Sequence, residues 1–191
     1  MALTQYYTAT TLDGFIADAD NSLEWLFRVE RGGSRDEAPD ETWDAFIGAV
    51  GAMAMGSTTY EWVLGHEGLL ERPARWREFY GDRPAWVFTH RDLPVPEGLD
   101  IRLVRDDVRP VHETMRAAAA GRNVWVIGGG DLAGQFHDAG LLDQVIVSVT
   151  PVTLGSGAPL LPRRIERLRL LDCVVDGQMV RLTYDVRREA G

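Results

Sequence analysis

The segment Val126-Ile127-Gly128-Gly129-Gly130-Asp131-Leu132 sets three consecutive glycines between an apolar run and the start of a helical pattern. Glycines in that position let an anion approach the backbone N–H groups at the positive end of a helix. They equally permit a tight turn at positive φ. Asp131 at the helix start favours the dipole but repels a phosphate. A second such junction is Met55-Gly56-Ser57-Thr58-Thr59, a small apolar run ending in glycine and a hydroxyl-rich helix start. Asp40 and Asp44 lie one turn apart on a helix that also carries Trp43. A carboxyl beside an apolar ring can have its pKa raised and act as an acid, although Asp40 is also an ordinary N-cap. Trp25 and Trp62 border irregular segments and are candidates to line a pocket for a flat substrate, whereas Trp43, Trp86 and Trp125 read as core. The spacing of His66, His112 and His137 suggests no metal site.

Composition narrows the chemistry. The chain has 191 residues and a formal net charge of −9, which repels nucleic-acid phosphates. Its 20 basic residues are all arginine, so a Schiff-base lysine and a lysine-dependent phosphate loop are excluded. The single cysteine, Cys173, forms no internal disulfide or CxxC clip and suits a reducing compartment. No apolar run reaches the ~18 residues of a membrane span, and residues 1–8 read directly into a strand. A cytoplasmic location, with neither membrane nor nucleic acid as partner, is the expectation.

The elements that must position these residues alternate. Strands are expected over residues 3–10, 52–55, 85–89, 101–104, 124–127 and 145–150. Helices are expected around residues 43–50, from Ser57 to Leu64, over 108–120, and over 132–139. Residues 19–40 read as a long loop with one anchored turn at Leu23, Trp25, Leu26 and Phe27, and residues 65–84 read as irregular. Asp176-Gly177 is a hairpin signal between two final strands. The pattern specifies one α/β domain over residues 1–191, with a mixed, mostly parallel central sheet, an antiparallel C-terminal hairpin and helices on both faces. The glycine run is not a Rossmann fingerprint, because it lies outside the first βα unit and no acid follows at the required distance.

Three segments together resemble the dihydrofolate reductase-like superfamily: Ala9-Thr10-Thr11-Leu12-Asp13-Gly14-Phe15-Ile16-Ala17, Met55-Gly56-Ser57-Thr58-Thr59-Tyr60-Glu61, and the glycine run at Val126. Pro151-Val152-Thr153-Leu154-Gly155-Ser156-Gly157-Ala158-Pro159-Leu160 is most similar to the branch containing the C-terminal reductase domain of the bifunctional riboflavin-biosynthesis enzyme. The resemblance implies that fold's three-layer form and NADPH as hydride donor. It implies that the backbone of Ala9 and Ile16 holds the nicotinamide. Gly56, Ser57, Thr58, Thr59, Thr89, His90, Arg91, Gly128, Gly129, Gly130, Asp131 and Leu132 would surround the phosphates and adenosine.

It further implies a cis bond between Gly128 and Gly129, Asp40 as proton donor, Ser148 as the residue that orients the acid, and pairing of two copies through their sheets. Where many relatives carry a cation after the Met-Gly pair, this chain has Ser57 and Thr58. Arg91, beside His90, is then the cation left for a 2′-phosphate. The function expected is an NADPH-dependent reduction of a carbonyl, pterin-like or pyrimidine-like small molecule. A nucleotide-binding module without catalysis, or a flavin- or deazaflavin-dependent reductase, are the alternatives.

Overall fold

In the computed structural model, residues 2–29 and 41–186 are described below. The strands are β1 (Thr4–Thr11), β2 (Phe15–Ala17), β3 (Val50–Gly56), β4 (Ala85–Phe88), β5 (Ile101–Val104), β6 (Asn123–Gly128), β7 (Gln144–Thr150), β8 (Ala158–Pro159), β9 (Leu168–Asp176) and β10 (Met179–Val186). The helices are α1 (Glu24–Phe27), α2 (Glu41–Ala49), α3 (Ser57–His66), α4 (Ala74–Tyr80), α5 (Val108–Ala119) and α6 (Gly130–Asp138). Eight strands form one sheet in the order β5-β4-β3-β6-β1-β7-β10-β9. The six strands from β5 to β7 run parallel, and the β9–β10 hairpin adds two antiparallel strands at one edge.

Two apolar layers enclose the sheet. On one face Val108, Val111, Met115 and Ala119 of α5 and Leu132, Ala133 and Phe136 of α6 pack on Tyr6, Ala54, Val124, Val126, Val145 and Val147. The i, i+3, i+7, i+11 spacing on α5 gives that helix its buried stripe. Its N-terminus is capped by Asp107, whose carboxylate accepts the Arg109 N–H at 2.9 Å. The opposite face carries α2, α3 and α4, with Tyr60, Val63 and Trp76 buried against Val50, Met53, Met55, Val87 and Trp125. Tyr7, Trp43, Phe46 and Trp125 form an aromatic group there, with Tyr7 and Phe46 edge-on at 4.8 Å.

The alternating strand and helix pattern and the terminal hairpin stand as expected, with Gly177 at φ +57° in the turn. Three local expectations are corrected. Residues 74–80 form α4 inside the stretch read as irregular: Trp76 and Tyr80 are one turn apart and bury one side of two short turns that also carry Arg75, Arg77 and Glu78. β2 and β8 pair antiparallel, and two or three residues carry no readable period. α3 runs two residues past its expected end, to His66, and α6 starts two residues earlier than expected, because Gly129 sits at its N-cap position and Gly130 is already helical.

Long-range hydrogen bonds stitch the segment after β7 to the segment after β1. The Leu12 N–H donates to Val152 O and the Leu160 N–H to Gly14 O, both at 2.8 Å, and the Tyr6 hydroxyl donates to Leu160 O at 2.8 Å. The carbonyls of Pro159 and Leu160 thereby lie directly on Gly130. No helix among the described residues is long and apolar enough to cross a membrane.

A Cβ on Gly130 would collide with those two backbone carbonyls. Gly130→Ala is therefore expected to lose about 1–3 kcal/mol of stability, seen as a lower urea midpoint at unchanged slope. An unchanged midpoint would mean that β8 does not rest on the start of α6.

Candidate active site

All six parallel strands end on one edge of the sheet. There β3 and β6 are neighbours, paired as far as Met55 opposite Gly128. The helix leaving β3 packs on one face and the helix leaving β6 packs on the other. Such a reversal opens a crevice at the carboxyl ends of the two strands, the usual ligand position in an open α/β sheet. Neither α3 nor α6 has a side-chain cap. The first backbone bond of α6 is Ala133 N–H to Gly129 O at 3.0 Å, so the N–H groups of Gly130, Asp131 and Leu132 face the end of the helix. Gly56, Ser57, Thr58 and Thr59 thus stand beside Gly128, Gly129 and Gly130.

Each glycine of the run has its own structural cause. A Cβ on Gly128 would lie 2.8 Å from Thr59 Oγ1, Gly129 has φ +74°, and Gly130 underlies β8. No peptide bond among the described residues is cis. The Gly128–Gly129 bond is trans, a correction to the resemblance, and the left-handed φ of Gly129 makes the reversal.

Beside this junction the sheet opens. β1 pairs with β6 only from Thr4 to Tyr6, yet pairs with β7 as far as Thr11 opposite Thr150. The carbonyl of Leu3 accepts the Val124 N–H on the β6 side, and that of Thr4 accepts the Asp143 N–H on the β7 side. Odd-numbered residues of β1 therefore turn their backbone groups toward β6. Past Tyr6 the Tyr7 carbonyl is taken by the Trp125 indole N–H at 3.0 Å. The N–H and C=O of Ala9 come next and face the gap beyond the β1–β6 ladder, where, among the described residues, only the Thr8 hydroxyl reaches the carbonyl, at 3.3 Å. An unpaired peptide edge of this kind matches a primary carboxamide, donor to acceptor and acceptor to donor. Ile16 lies on β2, adjoining this end of β1 through the Thr10 hydroxyl bond to Phe15 O at 3.2 Å.

The charged groups are already committed. Asp131 accepts from Gln135 at 2.9 Å and pairs with Arg163 at 3.0 Å, while Arg163 also holds Asp138 at 2.7 Å. The Gln135 amide first, then Arg163, keeps the Asp131 carboxyl below its usual range. Its charge is thus compensated at the helix start, which the sequence alone left open. Arg91, on the loop after β4, forms a two-pronged pair with Glu61 of α3, with Nη1 to Oε1 at 2.9 Å. The Thr89 hydroxyl accepts the Arg91 N–H at 3.0 Å and fixes that loop, and His90 is exposed.

Ala9 and Ser148 are directly paired across β1 and β7, so their side chains share the face that carries α2. Asp40 lies outside the described residues. Trp25 is buried, and its indole N–H has no hydrogen-bond partner. Trp62 stacks on His66 at 4.4 Å, with Phe27 of α1 parallel to both, so α1 leans on α3. Among the described residues no group of three or more His, Cys, Asp or Glu is placed to hold a metal ion.

The model of the RibD C-terminal domain matches residues 4–182. The chain belongs to the RibD C-terminal domain family. The protein YwjB of Bacillus subtilis, whose function is uncharacterized, is 31% identical over 95% of this chain and 96% of its own length. A putative riboflavin biosynthesis protein from Shewanella is 24% identical, covering 98% of this chain and all of that one, with a TM-score of 0.76. Dihydrofolate reductase from Enterococcus faecalis, solved in complex with NADP(H), covers 97% of each chain at 14% identity and a TM-score of 0.59. The fold is thus the reductase-like fold that the motifs suggested.

In this RibD C-terminal domain one residue that sequence reading passed over fixes the rim of the gap. Asp13, in the turn after β1, accepts the Thr11 hydroxyl at 2.6 Å, the Leu154 N–H at 3.0 Å and the Gly155 N–H at 2.7 Å. Its signal was present in Leu12-Asp13-Gly14, which reads equally well as a plain turn. Arg163 and Glu61 were missed because nothing in local spacing reveals partners so distant.

The Thr11 hydroxyl above all, with the Gly155 and Leu154 N–H groups, holds the Asp13 carboxyl below its ordinary value against a partial opposing effect of desolvation. A carboxyl depressed on folding contributes stability that is present above its unfolded pKa of about 3.9 and is lost as pH falls through the folded value. Asp13→Asn should therefore be less stable than the parent by a constant margin at neutral pH, and that margin should shrink below about pH 4. Melting curves that keep the same separation from pH 7 to pH 2.5 would contradict the clamp.

Proposed function

We propose that this chain is an NADPH-dependent reductase of a small conjugated or carbonyl substrate. The observation that carries the reading is the gap between β1 and β6, with the unpaired Ala9 peptide edge on one side and two uncapped helix starts on the other. The residues present fit the cofactor. Ala9 would pair with the carboxamide, with Ile16 closing that end. The N–H groups at the starts of α3 and α6, with the Thr59 hydroxyl, would take the phosphates. Thr89, His90 and Arg91 would face the adenosine end.

When bound, NADPH supplies the hydride. The protein supplies orientation and a dry wall. Ala9 fixes the ring plane, and the face carrying α2 offers Tyr7, Trp43 and Phe46 as an apolar side to the cleft. Ser148 stands next to Ala9 on that face, where its hydroxyl would orient the proton source. Asp40 is proposed as that source, with water as the other candidate. Trp25 and Trp62 are proposed to border the substrate, and the buried indole N–H of Trp25 supports this as a donor in search of an acceptor.

Arg91 would read the 2′-phosphate. Its present pair with Glu61 is exposed on both sides, 56% and 38%, and such pairs contribute little, so a phosphate can displace or share it. A charge-assisted bond exchanged for that weak pair leaves an advantage of about 10-fold or more. Arg91→Ala should therefore raise the dissociation constant for NADPH by about 10-fold or more and leave that for NADH unchanged, with tryptophan fluorescence as the readout at one salt concentration. Equal losses for both cofactors would remove the 2′-phosphate reading. Loss of NADPH absorbance that depends on an added carbonyl or pterin tests catalysis itself. Tight binding without oxidation across a broad panel would make the chain a binding module.

A further inference from the structure

Arginine is this chain's only cation beside histidine, and the partly buried arginines of the described residues are almost all satisfied. Arg75 pairs with Glu67, Arg116 donates to the Ala2 carbonyl, and Arg163 holds Asp131 and Asp138. Arg83 donates to the carbonyls of Val50, Tyr80 and Ile47. Arg181 of β10 is the exception: it is partly buried and has no ion-pair or hydrogen-bond partner among the described residues. The chain carries 29 acidic residues, so partners are not scarce. Withdrawing an unpaired cation from water is unfavourable, and such a group calls for a reason.

Its position supplies one. Arg181 is directly opposite Ser148 in the antiparallel β7–β10 pair, and Ser148 is paired with Ala9. Opposed residues on neighbouring strands project from the same face. The residues flanking this row, Val147 with Leu182 and Val149, turn into the core under α5 and α6. Ala9, Ser148 and Arg181 therefore form one row across three strands on the face that carries α2. At about 4.8 Å per strand, the Arg181 backbone lies roughly 10 Å from Ala9. That is the span of a small ring with one short substituent.

We infer that Arg181 is a specificity residue that binds an anionic group, carboxylate or phosphate, at the end of the substrate remote from the reacting carbon. The inference rests on the placement of the reduction beside Ala9. A guanidinium meets either anion with two parallel hydrogen bonds, and with no partner among the described residues it is ready to do so. The substrate class is thus a small conjugated carbonyl compound carrying one anionic substituent.

The probes are 4-carboxybenzaldehyde, 4-formylphenyl phosphate and the uncharged 4-methylbenzaldehyde. Each is titrated calorimetrically into the parent, Arg181→Ala and Arg181→Gln, with and without NADPH. Both anionic probes, or the one whose source is correct, should bind the parent about 10- to 100-fold more tightly than either variant. The uncharged probe and NADPH should bind all three proteins alike. The stronger anionic probe distinguishes carboxylate from phosphate. Equal affinity of the anionic probes for parent and variants overturns the inference. So does a parallel loss of NADPH, which would make Arg181 a cofactor ligand. Arg181→Gln keeps the stem in place, so a misfolded Arg181→Ala leaves the comparison standing. If the parent binds no NADPH, the reductase reading falls by itself, while the probe titrations without cofactor still decide the role of Arg181.

Discussion

The ladder between β1 and β6 stops at Tyr6 and Val126, and most of the site follows from that early end. A backbone edge left unpaired inside a sheet is costly unless another group serves it. Here the Trp125 indole takes the Tyr7 carbonyl, which both seals the ladder and holds the strands apart. What comes next along β1 is the Ala9 peptide, open to a ligand with complementary donor and acceptor. The β6 side of the gap is the glycine turn, whose three residues are each small for a separate mechanical reason. The gap is therefore built into the register of the sheet.

Around it, the rim is held by interactions that span the chain. Asp13 gathers the turn after β1 and residues 154–155 onto one carboxylate. Tyr6, from under the sheet, donates to Leu160 and sets β8 on the start of α6. Arg163 ties Asp131 and Asp138 along α6, so the acid at that helix start brings no uncompensated charge. These contacts are polar, few and long in sequence separation, and they tie two loops into the rigid frame of the parallel strands.

The architecture was legible because its elements have strong periods. The apolar runs of β3 and β6, the stripe of α5 and the Asp-Gly hairpin each read correctly from residue type alone. The placement of the candidate site followed mainly from motif order, which put Ala9, Ser57, Thr59 and Gly129 at one edge. The remainder depended on pairs that local spacing does not encode. Arg91 reads as a free cation until Glu61, thirty positions earlier, is seen against it. Arg181 reads as an ordinary strand residue until register sets it opposite Ser148. The unserved indole N–H of the buried Trp25 is likewise invisible until the chain is folded.

The central claim is that one nucleotide bridges the Ala9 edge and both helix starts. Amide hydrogen exchange with and without saturating NADPH tests this directly, since these are the backbone groups that the nucleotide would engage. Exchange should slow at Ala9, at residues 57–59 and at residues 130–132 together, and should not change at the capped start of α5. Slowing confined to one of the three segments, or absent from all of them at saturation, would contradict the account.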